Sequence, residues 1–441
     1  MTTTISLSHI TKIEGHATLS LRIERGRVAE CELSSVEGSR YFEGLVKGRH
    51  FSEASEITSR ICGICSCAHT IAAISAVENA LGAKPSRQTL LLRELLMIGE
   101  RIRSHATHLY FFALPDFVGC ESALALLPKR RADVERALRL MKAGNAIISA
   151  VGGRDLHPVS ATVGGFLKVP SQGDLESVAR LLDAAVEDAV ATARLFGELP
   201  LPGFSRPTQF MSLYNGRSYP LLSGGIRCSS PAGGVSARDF PPGDFHKFVS
   251  EYHEPHSTAN FVVKDGKSYA VGALARANNN FRFLSREARS LAGECGFSFP
   301  SANPFANNFA QCLELVHYVG GAAGLCRELA GCGLEQPVAP RSGGACRGIA
   351  AVEVPRGGLW HEYELNSAGE IAFANIVTPT AQNLRNMQDD VAAFVPGLLK
   401  LPRGRIVLEL EKLIRAYDPC FSCSTHFLKV KWLKPRGALV L

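Results

Sequence analysis

The sequence predicts a mainly α-helical protein with peripheral β-sheets, an α+β fold. Two observations carry that expectation: apolar residues recur at helical spacing in long stretches, and hairpin signals are confined to an alternating segment near the start and a turn-punctuated stretch between residues 349 and 376. A third bounds the core. Apolar residues make up 46% and charged residues 20% of 441 positions, the balance of a chain that buries a large interior rather than one that stays disordered.

The elements follow in order. His16 to Ile23 alternates, Arg25-Gly26 supplies a turn and Val28 to Leu33 returns, which predicts a hairpin. Residues 70–81 read as a helix stopped by Gly82, and 88–109 as a longer one ended by Pro115. Two further helices are expected near 121–149 and 174–196, the second with Asp174 as its N-cap. From 197 to 300 the texture turns to Gly, Pro, Ser and Asn with short apolar runs, which predicts irregular structure with a few strands. Helix returns at 305–331. A second hairpin is expected from 349 to 376, with turns around Pro355 to Gly358 and Ser367 to Gly369, and helices at 383–398 and 404–416 lead into Asp418-Pro419-Cys420.

Charge and cysteine usage narrow the function classes. Net charge is +7, and the excess is thin except in residues 427–441, where Lys429, Lys431, Lys434 and Arg436 meet no acid. No basic face interleaved with aromatics is visible, so nucleic-acid binding is not expected. The thirteen cysteines are odd in number and far sparser than in disulfide-stapled secreted domains, which favours a reducing compartment and thiolate chemistry. The N-terminus lacks a basic segment followed by an apolar one, and nowhere do 18 apolar residues run together. Neither a signal peptide nor a membrane span is expected, and the expected location is the cytoplasm.

Two motifs carry chemistry. Cys62 and Cys65 lie in Arg60-Ile61-Cys62-Gly63-Ile64-Cys65-Ser66-Cys67-Ala68-His69, and Cys420 and Cys423 in Asp418-Pro419-Cys420-Phe421-Ser422-Cys423-Ser424-Thr425-His426. Two thiolates three positions apart converge on one ion, and two such pairs complete a four-sulfur site. Structural zinc or an iron–sulfur cluster also explains four such cysteines. However, 354 residues separate Cys65 from Cys420, too long a loop for a small zinc ribbon, so any shared site sits where the two ends of a large fold meet. Soft thiolates suit nickel, iron and zinc alike.

Both motifs resemble the signature sequences of the large subunit of nickel–iron hydrogenases, as Arg-x-Cys-Gly-x-Cys-x-x-x-His and Asp-Pro-Cys-x-x-Cys-x-x-His. The resemblance extends through Lys12-Ile13-Glu14-Gly15-His16, Arg40-Tyr41-Phe42-Glu43, Asn303-Pro304-Phe305-Ala306-Asn307-Asn308, Glu353-Val354-Pro355-Arg356-Gly357 and Thr378-Pro379-Thr380-Ala381-Gln382-Asn383. It implies the large-subunit hydrogenase fold, with a long-helix core and a buried metal site, as one domain over residues 1–426.

It also implies a bimetallic centre that cleaves or forms H2 heterolytically. Cys62 and Cys420 are the implied terminal nickel ligands, while Cys65 and Cys423 bridge to an iron carrying carbon monoxide and cyanide. Cys420 and Arg356 are the candidate bases, and the thiolate is preferred because arginine stays protonated. Glu14 resembles the family's proton relay, Glu43 and His426 its magnesium ligands, and His69 a donor to a cysteine sulfur. Arg356, Thr380 and the backbone near Pro379 are expected to cradle cyanide, with Asp418 and Pro355 completing the wall over nickel.

One departure stands out. In the membrane-associated uptake branch an aspartate overlies the nickel, and Ser104 takes that place here. Ser104-His105-Ala106-Thr107-His108-Leu109 followed by Leu114-Pro115-Asp116 looks like the cytoplasmic, cofactor-coupled branch. The implied partners are an iron–sulfur small subunit, further electron-transfer subunits and a maturation endopeptidase that removes residues 427–441. Gly320 to Gly324 is no nucleotide fingerprint, so no nucleotide is expected in this chain. A hydrogen-sensing subunit and a complex-I-like quinone-module subunit are the rival readings; the latter lacks the four cysteines. The remaining cysteines, Cys67 included, read as small apolar side chains.

Overall fold

The computed structural model describes residues 2–38, 41–231, 237–332, 335 and 344–425. His426 and the tail 427–441 lie outside the described residues, as do Ser39 and Arg40.

Helices Arg87–Thr107, Leu127–Gly152, Gln172–Gly197 and Ala306–Ala330 form the centre of the molecule. Each buries an apolar face on its neighbours, and together with helix Ser66–Leu81 they build the largest core. Close crossings are made by glycine: a Cβ on Gly144 would meet the Gly99 carbonyl at 2.7 Å. Sequence boundaries hold where a stop signal is local. Helix Ser66–Leu81 ends at Gly82 with φ +65°, as expected, because its bare α-carbon tolerates that conformation.

Other expectations need correction. Pro115 does not end the second helix. The chain widens into a π turn over His108–Ala113 and continues as Leu114–Phe117, with proline in the first turn, where no N–H is needed. Asp174 is not an N-cap. Ser171 caps helix Gln172–Gly197, and Asp174 returns a bond to the Ser171 N–H at 3.0 Å, a capping box in which serine, not aspartate, takes the cap position.

The N-terminal hairpin forms as Ala17–Glu24 and Arg27–Ser35, and strand Thr2–Leu7 joins its edge. Ala17, Leu19, Leu21 and Ile23 face inward with the buried residues of helices Pro379–Leu398 and Arg403–Ala416. The second hairpin is a three-stranded meander, Cys346–Val354, Gly357–Leu365 and Ile371–Val377, lying on helix Ser66–Leu81. Between residues 197 and 300 short strands occur as expected, including a four-stranded sheet in the order Tyr269–Ala270, Gln209–Tyr214, Gly225–Ser229, Arg238–Phe240. Helices Ala273–Asn280 and Arg286–Glu294 also form there, which the polar, Asn-rich sequence concealed.

A buried charge network ties these parts together. Arg276 donates to Glu314 at 2.6 and 2.9 Å and to Glu353 at 2.9 Å, and reaches the carbonyls of Val354 and Pro355 at 2.9 and 2.8 Å. Arg101 and His105 close on the other side of Glu314 at 3.2 and 2.7 Å. The guanidinium ions hold Glu314 well below the usual carboxylate range despite burial, and burial lowers His105 to about 4. Paired in this way, the charges are tolerated in the interior and lock Pro355 in place.

Candidate metal centre

Both Cys-x-x-Cys motifs sit at helix starts. Cys65 directly precedes helix Ser66–Leu81, and Cys420 precedes the short helix Phe421–Ser424. A backbone bridge joins the two ends of the chain: Glu14 pairs with Cys420 in a parallel bridge, and the Phe421 N–H donates to the Glu14 carbonyl at 2.9 Å. Gly15 allows this approach. It has φ +82°, and a Cβ there would lie 2.9 Å from the Ser422 nitrogen.

The four expected cysteines meet as a result. Their ligand atoms all lie within 4.8 Å of one another, and all four residues are buried. Cys62 and Cys420 are 3.5 Å apart at sulfur, Cys65 and Cys423 3.1 Å, and Cys420 and Cys423 2.9 Å. None is in a disulfide. Burial pushes the Cys420 and Cys423 thiols up, while bonds from its three neighbours draw Cys62 down. Only a cation among them allows four thiolates at once, so the donor set fits a soft metal centre.

Charge is organised around the sulfurs. Arg356 is 3% exposed, donates through Nε to the Asp418 carbonyl at 2.7 Å and through Nη2 to the Asp418 carboxylate at 2.9 Å. Its Nη1 is buried with no hydrogen-bond partner among the described residues, as is Oγ1 of Thr378. Buried orphans of this kind are costly and mark room for a further polar group. The carboxylate of Asp418 and the thiolates of Cys420, Cys65 and Cys62 raise Arg356, so it remains a cation rather than a base.

Glu14 stands directly beside the cluster. The Cys420 thiol donates to Glu14 Oε2 at 2.7 Å, and the Ser422 hydroxyl to the same oxygen at 2.6 Å. Burial first, and the Cys62 charge second, raise its carboxyl above the ordinary 4.5. Thr380 accepts the Cys420 N–H at 2.9 Å, and Pro379 opens helix Pro379–Leu398. The Pro355 carbonyl is held by Arg276, as above. His69 Nδ1 lies 3.1 Å from His361 Nε2, and Glu43 Oε1 accepts the Ile376 N–H at 2.9 Å. Ser104 is buried, and its Oγ has no partner among the described residues. His426, the expected counterpart of Glu43, is outside the described residues.

Several contributors were not singled out from sequence. Gln311 donates to Asp418 Oδ2 at 3.0 Å and pairs with His108 Nδ1 at 2.6 Å, while His108 Nε2 meets the Arg415 carbonyl at 2.8 Å. Arg415 in turn holds Asp116 at 2.6 Å, which Lys12 also contacts. Ser422, between the two cysteines, was legible only as a spacer. The pairing of His108 had one signal, its place in the Ser-His-x-x-His pattern.

A family model described as nickel-dependent hydrogenase matches residues 40–151 and 334–426, the two segments that contain the cysteine pairs. Sulfhydrogenase 1 subunit alpha of Pyrococcus furiosus is 32% identical over 431 residues, covering 97% of this chain and 98% of that one. Sulfhydrogenase 2 subunit alpha of the same organism is 31% identical over 427 residues, covering 97% and 100%. Among solved structures, an NAD+-reducing [NiFe]-hydrogenase in its H2-reduced state superposes with a TM-score of 0.87 at 24% identity, over 96% of this chain and 99% of the other. The Ni-Fe-Se hydrogenase of Desulfovibrio vulgaris Hildenborough gives 0.76 at 23% identity, over 97% and 100%. These two show the fold, and the expected large-subunit architecture is the observed one. Similarity over nearly the whole length, joined to two cysteine pairs that close into one buried cluster, makes this chain a member of the nickel-dependent hydrogenase family.

Proposed function

We propose that the chain is the catalytic subunit of a nickel–iron hydrogenase that cleaves or forms H2 heterolytically and passes electrons to an iron–sulfur small subunit. The observation that carries the reading is the buried four-sulfur cluster with a carboxyl 2.7 Å from one sulfur and an unpartnered guanidinium nitrogen. Cys62 and Cys420 would hold nickel, with Cys65 and Cys423 shared with an iron that carries carbon monoxide and cyanide. The bound metals supply the Lewis acidity and the electron-accepting capacity that make a proton removable from H2.

The chain's own groups do the rest. Cys420 takes the proton at Sγ and hands it to Glu14 Oε2. A carboxyl raised by burial accepts and releases it near neutral pH. Arg356 stays charged, orients the substrate and, with Thr380 and the backbone near Pro379, cradles cyanide. Asp418 and Pro355 wall the site against water, His69 donates to a sulfur, and Ser104 leaves the canopy less charged than aspartate does. Glu43 and His426 hold magnesium. Residues 1–426 form one domain, and 427–441 are removed by a maturation endopeptidase; an intact Leu441 in the active enzyme, read by mass spectrometry, refutes that removal.

None of the described helices is long and apolar enough to cross a membrane, which suits a cytoplasmic enzyme with further electron-transfer subunits. The test is elemental analysis with H2-dependent dye reduction on protein produced with its small subunit. Nickel and iron with turnover are expected; zinc without nickel, in protein that cannot reduce the dye, sinks the reading.

A further inference from the structure

We infer that Glu100, on the helix crossing the first cysteine pair, is a positioning residue of the metal centre: with Arg103 it grips the backbone on both sides of Cys65 and, when ionised, sets a negative charge beside the sulfurs. The inference rests on the nickel–iron reading above. Helix Ser66–Leu81 begins directly after Cys65, so its first N–H groups lack helical partners. Glu100 Oε2 accepts two of them, from Cys67 at 2.7 Å and Ala68 at 3.3 Å. On the other side of Cys65, Arg103 Nη2 donates to the carbonyls of Ile64 at 2.8 Å and Gly63 at 3.5 Å, while its Nη1 is anchored on the Asp155 carbonyl at 2.6 Å. Glu100 and Arg103 are three residues apart on helix Arg87–Thr107 and share one face. Four peptide groups around a metal-ligating cysteine are therefore tied to one rigid helix.

Capping alone does not account for the residue. A serine or asparagine caps a helix without burying a charge, yet Glu100 is 0% exposed and its second oxygen, Oε1, has no hydrogen-bond partner among the described residues. Arg103 is the cation beside it, the Cys67 thiol is the sulfur hydrogen-bonded to it, and among the four clustered sulfurs the charge of Cys62 opposes its own. A fixed negative charge near a metal favours its more oxidised state, and removing the charge raises the reduction potential.

The test uses the full chain produced with its small subunit, in wild-type, Glu100→Gln and Glu100→Asp forms. The readouts are nickel per chain, the nickel EPR line shape and the midpoint potential at one alkaline pH. Glu100→Gln keeps an acceptor but loses the charge, so nickel is retained, the potential moves upward and the line shape changes. Glu100→Asp keeps the charge but falls short of the two N–H groups, so metal retention weakens roughly tenfold while the potential stays closer to wild type. A Glu100→Gln enzyme with wild-type potential and line shape overturns the inference. If that variant does not fold, unchanged nickel content and line shape in Glu100→Asp overturn it instead. Wild-type protein without nickel fails the nickel–iron reading itself, a separate outcome.

Discussion

At the scale of single residues, the sulfurs were legible because their chemistry demands one residue type at a fixed spacing, while their hydrogen-bond partners were not. Ser422 and Gln311 act on Glu14 and Asp418, 408 and 107 residues away, and no local pattern encodes such distances. Glu14→Gln is expected to keep nickel and lose turnover by about 10²-fold or more, since it cannot accept the proton from Cys420; metal analysis beside H2-dependent dye reduction checks both halves. Glu100 gives a pH dependence with a definite sign. Its carboxyl is raised by burial from 4.5 to about 7, so the unfolded chain releases this proton first and stability from this group is lost as pH rises through that window. In the metal-free chain the loss is on the order of 3 kcal/mol, and Glu100→Gln abolishes it. Urea unfolding of both proteins across pH 4.5 to 7 reads the difference; equal slopes contradict it.

At the scale of elements, periodicity gave the long helices and the alternating strands, and it failed where packing overruled a local signal. The run through Pro115 is one case, since a π turn re-registers the chain and spares the missing N–H. Contacts between elements are equally invisible in a one-dimensional pattern. A Cβ on Gly348 would lie 2.1 Å from the Ala76 carbonyl oxygen and 2.3 Å from the Ala80 nitrogen, so strand Cys346–Val354 meets helix Ser66–Leu81 backbone to backbone. Gly348→Ala is expected to lower stability by about 3 kcal/mol, measured by denaturant unfolding, because neither backbone can yield. Gly15→Ala is expected to cost about 1–2 kcal/mol through its left-handed φ, and to cut turnover by separating Glu14 from Cys420. Retained activity in Gly15→Ala would show that the bridge is dispensable.

At the scale of the whole molecule, the site depends on groups that touch no sulfur. Glu314 and Arg276 link helices Arg87–Thr107, Ala273–Asn280 and Ala306–Ala330 to the strand ending at Val354, and Arg276 also holds the carbonyl before Arg356. Glu314→Gln leaves two buried guanidinium ions undercompensated and is expected to destabilise the fold by roughly 3–5 kcal/mol, with a lowered thermal midpoint as its measure. The sequence by itself determined the helix-rich class, the two cysteine pairs and the family they resemble, because helical periodicity and metal-ligand spacing are properties of neighbours along the chain. Only the tertiary structure decided that the pairs meet, that a carboxyl and a hydroxyl stand beside Cys420, and that Glu100 lies buried over Cys65. Those facts depend on which distant surfaces pack together, and burial, unlike spacing, exists only once the chain has folded.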